Sequence, residues 1–152
     1  MIKFKQEITS AMGKELYMTA IVCIEDRGGI LFLKRRVSRD REVYRDIAEN
    51  YDKVYMTSYS LPLFGEVEID AVVRQAPIAE GECGDVCFVE SGEIADNLHK
   101  ISRLIIYRWN RTYPFDVSIG FDPEASGFRL VSTDELVGYS HEKITKDIYK
   151  KI

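Results

Sequence analysis

Apolar positions along this chain switch between two periods, and the switches mark its elements. From residue 94 to residue 114 the sequence reads IADNLHKISRLIIYRWNRTYP. Ile94, Leu98, Ile101, Leu104, Ile105 and Trp109 recur at steps of three and four, which puts them on one face of a helix. Asn97, Lys100, Arg103 and Arg108 fall mostly on other faces, so the segment predicts an amphipathic helix closed by Pro114. The run LIIYRW is also strand-like, and a strand over 104–109 is the competing reading.

Elsewhere the period is mostly two. Residues 2–11 alternate as a half-buried strand does. Residues 16–25 and 30–34 are rich in strand formers and flank Gly28-Gly29, which predicts a hairpin. Residues 39–51 change to helical steps at Val43, Tyr44, Ile47 and Tyr51. Strand character returns at 54–59, breaks at 60–65, and resumes at 66–69, where Glu66 and Glu68 alternate with Val67 and Ile69. Residues 72–78 are expected to pair back on that strand. Gly81 and Gly84 mark a loop before a short strand at 86–89. Phe115, Val117, Ile119 and Phe121 alternate with polar residues, 122–127 has turn chemistry, and 128–132 supplies the hairpin partner. Ser140 suits the N-cap of a last helix with a Tyr139/Ile144 staple. Its stripe would be Ile144, Ile148 and Ile152, with Lys150 and Lys151 at the favourable end of the dipole. The sum is a single α+β domain over 1–152, mainly antiparallel β-sheet with two to three packed helices. Its sub-lobes would be a β-rich 1–80 and a β-α-β-β-α 85–152.

Composition narrows the class. A chain of 152 residues, 45% hydrophobic and 30% charged, is an ordinary globular domain. No run approaches the roughly 20 apolar residues of a membrane span. The start, MIKFKQEITSAM, lacks the apolar block of a secretory signal, so a cytoplasmic location is expected. Cys23, Cys83 and Cys87 are odd in number and lack framework spacing, which fits free thiols. A zinc site from Cys83, Cys87 and His99 would want a fourth ligand that the neighbourhood does not offer. No metal or cofactor is therefore expected.

Charge is unevenly placed. Residues 55–99 hold nine acids against one base, Arg74, while the flanks on either side are slightly basic. From residue 75 to 99 there are Glu80, Glu82, Asp85, Glu90, Glu93 and Asp96 with no Lys or Arg. Such a surface opposes nucleic acid and suits a basic partner.

Motifs of chemistry are sparse. There is no phosphate loop, no GxGxxG, no HExxH and no GxSxG. Ser140-His141-Glu142 reads as a capped first turn rather than a site, and His99 has no acidic or nucleophilic neighbour in sequence. No catalytic residue is assigned, and the chain is expected not to be an enzyme. Two alternatives stay open. AIVCIEDRGGILFLKRR followed by SLPLFGEVE resembles a Nudix hydrolase, although Asp70, Glu80 and Glu82 have the wrong spacing to face one metal from one helix. Arg108, Trp109, Asn110, Arg111 and Tyr113 form a basic-aromatic cluster of the kind that stacks single-stranded RNA.

Three further stretches carry a broader resemblance: RWNRTYPFD at 108–116, FRLVSTDEL at 128–136 and GYSHEKIT at 138–145. Together with SLPLFGEVEI at 60–69 they resemble bacterial immunity proteins that neutralise ribonuclease toxins of contact-dependent growth inhibition. The resemblance implies a cytoplasmic protein that binds a basic nuclease toxin domain and occludes its active-site groove, without nucleic acid or membrane. Glu80, Glu82, Asp85, Glu90, Glu93 and Asp96 are the expected toxin-facing residues, since carboxylates there would stand where phosphates sit.

Overall fold

The structure, a computed structural model, describes residues 18–152. The strand expected over 2–11 lies outside the described residues. The elements in chain order are β1 (Met18–Ile24), β2 (Gly29–Phe32), β3 (Arg35–Arg36), α1 (Arg41–Asn50), β4 (Lys53–Met56), β5 (Asp70–Val73), β6 (Val86–Phe88), α2 (Glu93–Asp96), β7 (Ile101–Arg108), β8 (Val117–Ser118), β9 (Phe128–Leu136) and β10 (Ile144–Lys151). Short 3-10 turns occupy Leu61–Phe64, Leu98–Lys100 and Glu124–Ser126.

Seven strands form one sheet in the order β5-β4-β6-β1-β7-β10-β9, and β3-β2-β8 form a small second sheet. The described residues thus make one α+β domain. The expected antiparallel sheet is corrected: β5, β4, β6, β1 and β7 are mutually parallel, and only β10 runs against them, its antiparallel pairing with β9 closing that edge.

β1 and β7 are central and covered on both faces. Ala20, Val22, Ile24, Leu104 and Ile106 point into one apolar layer, with Ile94 of α2 and Phe128. Ile21, Cys23, Ile105 and Tyr107 point into the other, with Val43, Tyr44 and Ile47 of α1. A strand buried on both sides must be apolar at successive positions. For that reason LIIY imitated a helical stripe, and the helix expected over 94–114 is instead one turn of helix, a 3-10 turn and β7.

The expected final helix is likewise a strand, β10, paired with β7 and β9. Ile144 and Ile148 share a buried face in it. A spacing of four keeps two residues on one side of a strand as well as of a helix. The expected β1–β2 hairpin also resolves otherwise. Gly28, at φ 87°, turns the chain out of the main sheet, and β2 pairs with β3 and β8. Residues 66–69 are not a strand, and β5 pairs with β4 rather than with 66–69. β9 takes β10, not β8, as its partner.

α1 forms as expected. Its apolar face buries Val43, Tyr44, Ile47 and Ala48, and Tyr44 meets Phe64 and Phe88 edge-on at ring distances of 5.3 and 6.1 Å. Its outer edge is tied to the sheet by Asp46, which pairs with Lys146 at 2.8 Å and accepts the Tyr107 hydroxyl. Among the described residues no helix is long and apolar enough to cross a membrane.

Candidate functional site

The parallel strands β1, β4, β6 and β7 end on one edge, and their connections leave toward opposite faces. α1 covers one apolar layer and α2 the other. In open α/β sheets that carboxyl edge is where ligands bind. Here it gathers polar residues from distant parts of the chain.

Just past β1, Glu25 is buried and accepts the N–H groups of Arg27, Gly29 and Tyr113 at 2.6, 2.8 and 3.2 Å. Burial pushes its carboxyl up, but those three N–H groups and the Arg27 side chain outweigh it and hold the group below the usual range. Just past β6, Glu90 accepts from Arg36 Nε at 2.7 Å, Arg36 Nη2 at 3.1 Å and Ser60 Oγ at 2.7 Å. Both groups are consumed in bracing loops.

The third group lies at the N-terminus of α1. Asp40 caps the helix by accepting Glu42 N–H at 3.0 Å. The same buried carboxylate accepts the N–H groups of Tyr139, Ser140 and His141 at 2.9, 2.9 and 3.2 Å. Gly138 is required beside it: a Cβ there would fall 2.7 Å from Asp40 Oδ2. Burial pushes the pKa of Asp40 up, yet the Tyr139 N–H, the His141 side chain and the Glu42 and Ser140 N–H groups together hold it far below the usual carboxylate range. Asp40 is an anion at neutral pH.

That anion orders a histidine. His141 Nδ1 lies 2.9 Å from Asp40 Oδ2, and its Nε2 lies 2.8 Å from Ser38 Oγ and 3.3 Å from the Tyr113 hydroxyl. The imidazole is buried and stacks on Trp109 at 4.8 Å and 25°. With the carboxylate ionised, Nδ1 carries the proton and Nε2 presents its lone pair to the hydroxyls. Ser38 is half-buried.

Beside this group opens a cleft of about 510 Å³. Arg39, Arg41 and Arg45 stand around it, with walls from Tyr44, Tyr139, Pro62, Leu63 and Val67, and Asp40 and Ser140 at the end nearest His141. Arg41 lies flat over the Tyr139 ring at 3.7 Å. Arg45 is paired with Glu42 at 3.1 Å, whereas the exposed Arg39 guanidinium has no carboxylate partner among the described residues.

The sequence-derived residues are placed otherwise. Ser140 and His141 do not open a helix; they are drawn to Asp40, a hundred residues earlier. Asp85 is paired with Arg74 at 2.7 Å, and Glu90 with Arg36. Glu80 accepts Ala76 N–H, and Glu93 accepts the N–H groups of Ile78 and Ala79 at 2.8 and 2.7 Å. Glu80, Glu82, Asp85, Glu93 and Asp96 surround the loop before β6 and α2, while Glu90 sits across the strand at the opposite edge. Of the basic-aromatic cluster, Trp109 is core and Arg108 pairs with Asp147 at 2.7 Å. Cys23 and Cys87 are buried and Cys83 is exposed, all free thiols. Among the described residues no group of His, Cys, Asp and Glu is arranged to hold a metal. Ser38, Arg39 and Asp40 were missed from sequence. An aspartate immediately before a helix was the one available signal, and it speaks only for a cap.

No family model and no curated protein matches the sequence. Among solved structures, a dihydrofolate reductase from Enterococcus faecalis, complexed with NADP(H) and RAB-propyl, superposes with a TM-score of 0.63 at 11% identity, over 91% of this chain and 98% of that one. The chain has a dihydrofolate reductase fold. This corrects the expectation of a non-enzyme: the architecture is one that an enzyme uses. At 11% identity the likeness carries fold, not chemistry.

Proposed function

We propose that this protein is an enzyme that acts on a small organic anion bound in the cleft beside α1. The arrangement of Arg39, Arg41 and Arg45 around a recess walled by Tyr44, Tyr139 and Leu63 carries the reading. Planar guanidinium groups match carboxylate and phosphate oxygens, and aromatic walls suit a flat apolar body. The two acids that border the cleft compete little with a ligand. Asp40 is saturated by N–H donors, and Glu66 is exposed to solvent, where its charge is screened.

Phenyl phosphate and benzoate test this by NMR titration. Shifts should be confined to 39–45, 62–67 and 139–140, and Arg39→Gln should weaken binding about tenfold, the worth of one charge-assisted contact. Scattered shifts, or affinity unmoved by Arg39→Gln, would overturn it.

The Enterococcus enzyme was captured with NADP(H), but the residues here do not fit a dinucleotide. A diphosphate is ordinarily seated on a glycine-rich turn at the N-terminus of a full helix. After β6 this chain reads Val89-Glu90-Ser91-Gly92-Glu93, and α2 is four residues long with Glu93 and Asp96 in its first turn. Carboxylates stand where phosphate would need donors, so no hydride step is assigned.

The toxin-neutralising role rests on resemblance alone. Four of its six expected carboxylates are already engaged within the molecule, so they offer little free charge to a basic groove.

A further inference from the structure

We infer that Ser38, His141 and Asp40 form a nucleophilic relay, with Ser38 the acyl-accepting residue of an esterase-type reaction. The inference deepens the cleft reading by naming the chemistry done beside it.

Three observations converge. The Ser38 Oγ to His141 Nε2 distance is 2.8 Å and the His141 Nδ1 to Asp40 distance is 2.9 Å. These are the separations at which a base takes a hydroxyl proton and a carboxylate orients the base. Second, the imidazole is held on all sides. Trp109 stacks on its face, and its own backbone N–H is fixed by Asp40. A structural histidine needs only its polar atoms satisfied, and here the free lone pair is aimed at the half-buried Ser38 hydroxyl. Third, the residues adjoining the relay, Arg39 and Ser140, line the cleft, so a substrate anchored by the arginines lies next to the serine.

The step balances without an absent oxidant or cofactor. Ser38 Oγ attacks the carbonyl carbon of a carboxylic ester as its proton passes to His141 Nε2, and the carbonyl electron pair moves to oxygen. The tetrahedral adduct collapses, the bond to the leaving alkoxide breaks, and the Nε2 proton goes to that alkoxide. Water then attacks the acyl-serine by the same route, releasing a carboxylic acid and restoring the hydroxyl. Asp40 remains ionised and stabilises the imidazolium.

The test is covalent labelling of the full chain with a fluorophosphonate, read by peptide mass spectrometry. One phosphonyl group on Ser38 is expected, with none in Ser38→Ala. His141→Gln should slow labelling by about 10²–10⁴-fold, the usual worth of a general base. His99→Gln, remote from the site, should not change the rate. Circular dichroism of each variant separates lost chemistry from lost fold, and Ser38→Ala, a single half-buried hydroxyl removed, is expected to keep its spectrum. Absence of label on Ser38 in folded wild-type protein, or equal rates with and without His141, would overturn the relay. Phenyl phosphate titrated into the wild-type protein beside the labelling keeps the two readings apart. Binding without labelling removes the relay and leaves the cleft; labelling without binding does the reverse.

Discussion

At the scale of single residues, Asp40 is the group on which the site depends. Its carboxylate accepts four backbone N–H groups and one imidazole nitrogen, joining the start of α1 to residues 139–141. Asparagine has the same shape and is also a good N-cap, but its amide NH₂ would face donors where an acceptor is needed. Asp40→Asn is therefore expected to cost about 2–3 kcal/mol in urea unfolding, the range of charge-assisted hydrogen bonds left unmade. The pH dependence has a definite sign. A free aspartate titrates near about 3.9, and in the folded protein the Asp40 value is depressed. Its contribution is thus complete above that free value and is lost as pH falls through the acid range toward the folded value. Between pH 5 and pH 2 the wild-type midpoint should drop more steeply than that of Asp40→Asn. Parallel curves would show that Asp40 is not the linked group. None of this was legible in the chain. His141 was visible, but its partners Asp40 and Ser38 lie 101 and 103 residues away, and only the pairing of β10 with β7 brings them together.

At the scale of elements, legibility followed exposure. α1 has one wet face, so its period showed. β7 has none, and β10 carries isoleucines four apart, which both periods explain. Local turn chemistry misled in a smaller way at the β2–β3 connection. There Leu33 and Lys34 both have positive φ, 49° and 66°, between the paired residues Phe32 and Arg35. That is the signature of a type I′ two-residue hairpin, which favours Asn-Gly and penalises branched L-residues. The sequence Leu-Lys announces no such turn. Leu33 is 70% exposed, so replacing it forfeits little packing. The double change Leu33→Asn with Lys34→Gly should stabilise the protein by about 1 kcal/mol, measured as a higher urea midpoint with unchanged slope. A loss of stability would mean that Leu33 covers apolar surface not evident in the isolated chain.

At the scale of the whole molecule, the α+β class was legible because strand-like runs outnumber helical ones, but strand direction was not. Parallel pairing depends on which crossovers pass over which face, and that is decided by packing of α1 and α2 against opposite layers rather than by any local run. The acidic bias of residues 55–99 was real in the sequence, yet the fold engages much of it internally. Arg36 reaches Glu90 across 54 residues, and backbone N–H groups take Glu80 and Glu93. The placement of these acids also bears on the dinucleotide. Where a diphosphate would want a glycine turn and a long helix, this chain has placed Glu90 under Arg36 and Ser60 and shortened α2 to one acidic turn. A cofactor that bound at a hundredfold excess over its Kd would add about 2.7 kcal/mol to stability, which is several degrees of melting temperature for a domain of this size. NADPH at millimolar concentration is accordingly expected to leave the melting temperature unchanged, while phenyl phosphate raises it in wild type and less so in Arg39→Gln. A clear upward shift with NADPH would show that donors other than a glycine turn receive the diphosphate, and would return hydride chemistry to this fold.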